Sequence, residues 1–142
     1  MTTQKTISKT VSISGVGLHT GKKVTVKISP ADENDGVIFF RSDLQDCPAV
    51  PAYWSFVSDT HRATSLANNQ AKIKTVEHFL AAVFGLGITN LRVETDSEEL
   101  PVIDGSGKAY HEVLSQAEIV EQNNLRSFLY IDQLRCGLNR KE

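Results

Sequence analysis

Apolar residues recur at helical spacing in one stretch of the chain. Val76, Phe79, Leu80, Val83 and Leu86 lay a single apolar stripe along a helix. Thr75 stands where an N-cap belongs, and Gly87 stands where a left-handed residue would end the helix. A second stripe, Tyr110, Val113, Leu114, Ala117 and Val120, predicts a helix over residues 108–120. Elsewhere the period is two. Residues 6–13 alternate and predict a strand. Val24, Val26 and Ile28 alternate with Thr25 and Lys27 in a second strand. Residues 88–95 place Thr89, Leu91, Val93 and Thr95 on one face and Asn90, Arg92 and Glu94 on the other, the mark of a half-buried strand. Residues 36–41 read as a short buried strand, 51–57 as a further strand rich in aromatic residues, and 59–66 as strand-like by alternation. Turns fall at Pro30–Gly36, at 42–51, at Asn68–Gln70 and at Asp104-Gly105. Strands first, then two helices interleaved with strands, predict an α+β fold: a mainly antiparallel sheet with two helices packed on one face.

Length and charge narrow the picture. The chain has 142 residues, enough for one core. Its net charge of −2, with both signs interspersed, carries no electrostatic footprint for nucleic acid. No transmembrane segment and no signal-like apolar run is visible, so a cytoplasmic protein is expected. Cys47 and Cys136 lie far apart in no metal-type spacing and are expected to be free thiols.

Two places in the chain carry candidate chemistry. Gly15-Val-Gly-Leu-His-Thr-Gly21 looks like a phosphate loop but has neither the G-x-G-x-x-G spacing nor a closing Gly-Lys-Ser/Thr, and a strand follows it rather than a helix. It is therefore a connection between strands, and His19 within it is either an exposed loop residue or a site residue. Glu77 and His78 fall in the first turn of the first helix. A carboxylate beside an imidazole is either an ordinary capped start with a surface histidine, or a general base with a metal ligand.

Taken together, four segments in register resemble one family, the zinc-dependent UDP-3-O-acyl-N-acetylglucosamine deacetylases of lipid A biosynthesis. Gly15–Gly21 resembles its first glycine loop, and Asp59-Thr60 the start of its active-site strand. Lys74-Thr-Val-Glu-His78 running on to Gly85-Leu-Gly-Ile-Thr-Asn-Leu91 resembles its signature helix and strand. Leu100-Pro-Val-Ile-Asp-Gly-Ser106 resembles its aspartate-glycine-serine loop. The resemblance implies that Glu77 is the catalytic general base and His78 a Zn2+ ligand. It implies further that Leu18, His19, Thr60, His61, Arg62 and Ala63 line the substrate cleft. Family enzymes are roughly twice this length, and their second half supplies the other ligands as a His-x-x-x-Asp pair; no histidine here is followed by an aspartate at that spacing. The expected organisation is thus an N-terminal half-domain over residues 1–125, with 126–142 as the truncated start of a second half. Two functions follow as expectations. One is zinc-dependent deacetylation of UDP-3-O-acyl-GlcNAc once a complementary second half is present. The other is a catalytically inactive stand-alone paralogue that binds a protein partner or a sugar nucleotide. His61 and Arg62 occupy positions where the family more usually has apolar residues.

Overall fold

The structure is a computed structural model and describes residues 2–128. Among these residues ten strands and two α-helices follow in the order β1 (Thr3–Ile7), β2 (Val11–Val16), β3 (Lys23–Pro30), β4 (Val37–Arg41) and β5 (Ala49–Pro51). Then come β6 (Val57–Asp59), β7 (Ser65–Ala67), β8 (Lys72–Lys74), α1 (Glu77–Gly85), β9 (Leu91–Thr95), α2 (Lys108–Gln116) and β10 (Ile119–Leu125). A five-stranded sheet has the order β2-β3-β9-β4-β5, and every pairing in it is antiparallel except β4 with β9. A two-stranded sheet joins β1 to β10, and a three-stranded sheet runs β6-β7-β8. This is the α+β fold that the patterning predicts.

Alternation decides which face of the large sheet is covered. Val24, Val26 and Ile28 of β3 are buried, whereas Lys23, Thr25 and Lys27 between them are exposed. Register then aligns the inward residues across strands: Val26 opposite Thr95, Ile28 opposite Val93, and Phe39 of β4 opposite Val93 from the other side. Both helices lie on that face. Phe79 of α1 meets Phe39 edge-on with ring centroids 5.7 Å apart, and Tyr110 of α2 at 5.4 Å. Each such ring stabilises the fold by about 1.5–3 kcal/mol through burial, and each edge-to-face pair adds about 0.5–1.5 kcal/mol. The Tyr110 hydroxyl, buried with its ring, donates to the Pro101 carbonyl at 2.6 Å. The end of α1 follows its sequence signal. Gly87 adopts φ 71°, and the N–H groups of Gly87 and Ile88 return to the carbonyls of Phe84 and Val83, a Schellman arrangement.

Four local expectations are corrected. The strand expected over 6–13 is two strands, because Ser8–Thr10 carries the chain from the two-stranded sheet into the five-stranded one. The helix expected to reach 120 stops at Gln116. Glu118 turns left-handed at φ 56°, and Ile119 and Val120 pair with Ile7 and Thr6 in β10 instead. Residues 51–57 hold no continuous strand: β5 ends at Pro51, Trp54–Phe56 is a single 3-10 turn, and Trp54 is 87% exposed. The strand-like segment 59–66 is interrupted between Asp59 and Ser65, where Arg62 has φ 62°. Of residues 126–142, expected to start a second half, those from 129 on, Cys136 among them, lie outside the described residues.

Candidate functional site

α1 begins against two other segments, and its start is backbone-directed rather than side-chain capped. Thr75 does not cap it, correcting the sequence expectation. Its φ is 59°, a left-handed value that a β-branched residue takes only under strain, at a cost of about 1–3 kcal/mol. The Thr75 hydroxyl donates instead to Glu99 Oε1 at 3.0 Å. Val76 takes the capping position with no side-chain bond, and its N–H donates to the Thr64 carbonyl at 3.3 Å. Glu77 and His78 thus open the helix. Glu77 Oε2 accepts the Thr64 N–H at 3.1 Å, which ties the carboxylate to the segment carrying Thr60–Ala63. His78 is half-buried, and its Nδ1 is the one buried side-chain nitrogen or oxygen among the described residues without a hydrogen-bond partner. Orphaned polar atoms of this kind are rare in native proteins and call for an explanation.

Across from this start lies the loop after β2. Its backbone is gathered round a fully buried carboxylate. Glu99 accepts the N–H of His19 at 3.0 Å and 3.2 Å on its two oxygens, and the N–H of Thr20 at 2.8 Å. Burial alone would raise the Glu99 pKa, but these amides with the Thr20 and Thr75 hydroxyls outweigh it and hold the group below its ordinary value. A side chain at position 17 would close this nest: a Cβ on Gly17 would stand 2.5 Å from Glu99 Oε2. The third segment, the Asp104-Gly-Ser loop, leads into α2. Asp104 accepts from the Ser106 hydroxyl and backbone N–H, which lower its pKa. Gly107 packs so tightly against α1 that an added Cβ would come within 3.1 Å of the His78 carbonyl oxygen.

Of the residues singled out from the sequence, His19, His61, Arg62 and Ala63 line one cleft of about 250 Å³, together with Asp59, Ser65, Lys72 and Lys74. Leu18, 61% exposed, sits beside it on the His19 loop, and Thr60 is exposed on the segment before His61. The His61 N–H donates to Asp59 at 2.9 Å and, as the largest influence, lowers the pKa of that carboxylate. Glu77 and His78 do not line this cleft; Glu77 reaches it through Thr64. Glu99 is the residue that sequence reasoning missed. It reads as part of a polar turn, and the only signal for it was the close glycine at position 17.

The chain matches LpxC, UDP-3-O-acyl N-acetylglycosamine deacetylase, over residues 4–139. It belongs to that deacetylase family. It is 44% identical over 133 residues to the UDP-3-O-acyl-N-acetylglucosamine deacetylase of Xanthomonas campestris, and 42% identical over 134 residues to that of Haemophilus influenzae. Each alignment covers 94% of this chain and 44% of the relative. The bifunctional enzyme LpxC/FabZ of Chlorobaculum tepidum is 42% identical over 130 residues, covering 92% of this chain and 28% of that protein. The chain thus spans less than half the length of these curated deacetylase relatives. The family resemblance implies zinc, and the donors here can be weighed against it. An imidazole with a free Nδ1 and a neighbouring carboxylate are of the right chemistry. Their number is short: among the described residues no three His, Cys, Asp or Glu side chains converge, whereas catalytic zinc takes about three protein ligands.

Proposed function

We propose that residues 1–125 form the N-terminal half of a zinc-dependent deacetylase that removes the N-acetyl group of UDP-3-O-acyl-N-acetylglucosamine in the cytoplasm, and that 126–142 open its second half. The observation that carries this reading is the Glu77–His78 pair at the start of α1, with His78 Nδ1 buried and unpartnered, in a chain of the deacetylase family. On this reading His78 supplies one zinc ligand, and a second half supplies the rest. Zinc held by His78 and that second half would supply Lewis acidity, bringing the pKa of water to about 7 and polarising a carbonyl. Glu77 is the general base. The Thr64 N–H on Oε2 fixes the carboxylate, so that its other oxygen takes a proton from water and passes it to the departing amine. The products are acetate and a free 2-amino sugar nucleotide. Leu18, His19, Thr60, His61, Arg62 and Ala63 receive the substrate along the cleft.

Acetate release from UDP-3-O-acyl-GlcNAc tests this reading. The 142-residue chain alone should release none. With a complementary second half, added as a separate chain or fused after residue 125, release should appear and depend on zinc. Glu77→Gln should then lower kcat by about 10²–10⁴-fold. Zinc-dependent release by the chain alone would overturn the assignment of its ligands. A second reading is a stand-alone paralogue that binds a sugar nucleotide or a protein without hydrolysis; what supports it is that no three donor side chains converge among the described residues. No release even after complementation would select it.

A further inference from the structure

Glu99 is the one charged residue among the largest fully buried side chains of the described residues, and the proposed chemistry leaves it unused. Its carboxylate joins two different parts of the molecule, with Oε1 accepting from both. On one side are the backbone N–H groups of His19 and Thr20, in the loop that borders the cleft. On the other is the Thr75 hydroxyl, two residues before Glu77. The backbone around Glu99 grips the same place. The Lys74 N–H donates to the Glu98 carbonyl at 2.7 Å, the Leu100 N–H donates to the Lys74 carbonyl at 3.1 Å, and Lys74 and Glu99 form a parallel bridge. Thr75 is left-handed immediately after this clamp, and its φ of 59° sets the direction in which α1 departs. A carboxylate suits this place, because two amides and the Thr20 and Thr75 hydroxyls converge on it and a carboxylate accepts on both oxygens. Gly17 completes the nest, since any side chain there would collide with Oε2.

We propose that Glu99 is a positioning residue that couples the His19 loop to the start of α1, so that the cleft wall and the Glu77–His78 pair are set by one carboxylate. The functional half of this inference rests on the deacetylase reading; the coupling itself does not. A network that shares one acceptor transmits a change on one side to the other, since the carboxylate moves as a rigid group.

Backbone resonances and amide exchange of the ¹⁵N-labelled 142-residue chain test it. Thr75→Val keeps the shape and removes only the hydroxyl. The His19 and Thr20 amide resonances should move although their own donors and acceptor are intact, while those of Val26 and Val93 stay put. Glu99→Gln should lower the protection of the His19 and Thr20 amides roughly 10- to 100-fold, the worth of a hydrogen bond to a charged group, and should shift Thr75, Glu77 and His78 as well. His19 and Thr20 resonances unchanged in Thr75→Val would overturn the coupling, and that variant decides the matter if Glu99→Gln does not fold. In the complemented enzyme, Thr75→Val should lower kcat/KM by up to about 100-fold, as misplacement remote from the chemistry does. Unchanged kcat/KM there, with the resonances moved, would overturn the functional half. Absence of acetate release from the complemented wild type would instead overturn the deacetylase reading, with the resonances still deciding the coupling.

Discussion

The two ends of β9 carry buried polar clusters of opposite character. Before the strand, Asn90 is the centre of a neutral network. Its Nδ2 donates to Gln4 Oε1 at 2.8 Å and Gln122 Oε1 at 2.7 Å, and its Oδ1 accepts the Gly36 N–H at 2.9 Å. Gln4 passes the network on to Asn34 and the Leu125 carbonyl. These amides fasten the β1–β10 sheet to the five-stranded sheet. After the strand, Glu99 is charged and organises two irregular segments rather than two sheets. The neutral cluster is made of side-chain amides that both donate and accept, and it joins regular elements. The charged cluster gathers an excess of donors and sits beside a strained residue and the candidate site. Architecture is held by the first, site geometry by the second.

Substitutions can break or sharpen this contrast. The largest loss is expected from neither cluster but from the apolar layer that both flank. Phe79→Ala empties the space between Phe39 and Tyr110 and should cost about 3–5 kcal/mol in urea denaturation. Asn90→Ala and Glu99→Gln should each cost about 2–3 kcal/mol at pH 7, because each leaves buried donors or acceptors unpaired. Acid separates them. Glu99 has a folded-state pKa below its ordinary value of 4.5, so its contribution is complete above about pH 4.5 and is lost as pH falls through the lower folded value. The stability gap between wild type and Glu99→Gln should therefore narrow below pH 4.5, and the gap to Asn90→Ala should hold constant. A Glu99→Gln gap that stays level with acid would mean that charge at position 99 contributes nothing. The smallest effect is expected at His78. His78→Ala should cost under about 1 kcal/mol, since no hydrogen bond to its Nδ1 is lost. A loss as large as that of Phe79→Ala would make His78 a core histidine.

The same contrast explains what could be read from the sequence. β3, β9 and α1 show in their alternation or their 3.6-residue stripe because each packs one face against the apolar layer, and β4 shows as a short apolar run. The Schellman end at Gly87 and the turn at Asp104-Gly105 are local, so local rules find them. Thr75 escaped them because its hydroxyl is claimed by a residue 24 positions away, and a capping rule sees only the next turn. β10 escaped because Glu121-Gln-Asn-Asn124 is polar on both faces, and what places it is the pairing with β1. Of the candidate site, the Glu77–His78 pair stands out as residues, whereas His61, Arg62 and Ala63 are named only through the family resemblance, and Ser65, Lys72 and Lys74 of the cleft not at all. The carboxylate that links the two segments was not visible either, since nothing in Ser97-Glu-Glu99 marks which glutamate is buried.

The pairing of β1 with β10 has a consequence in time. Gln4 and Leu125, joined by a hydrogen bond in this sheet, are 121 positions apart. At a synthesis rate of roughly 5–20 residues per second, β1 leaves the ribosome on the order of ten seconds before its partner exists. For that interval its ladder groups have no β10 to meet, and closing so long a loop is entropically slow. β1 is thus made long before it can be paired, and its docking should come late, after the rate-limiting step of folding. A stopped-flow refolding series in which Ile7→Val slows folding less than it speeds unfolding would bear this out.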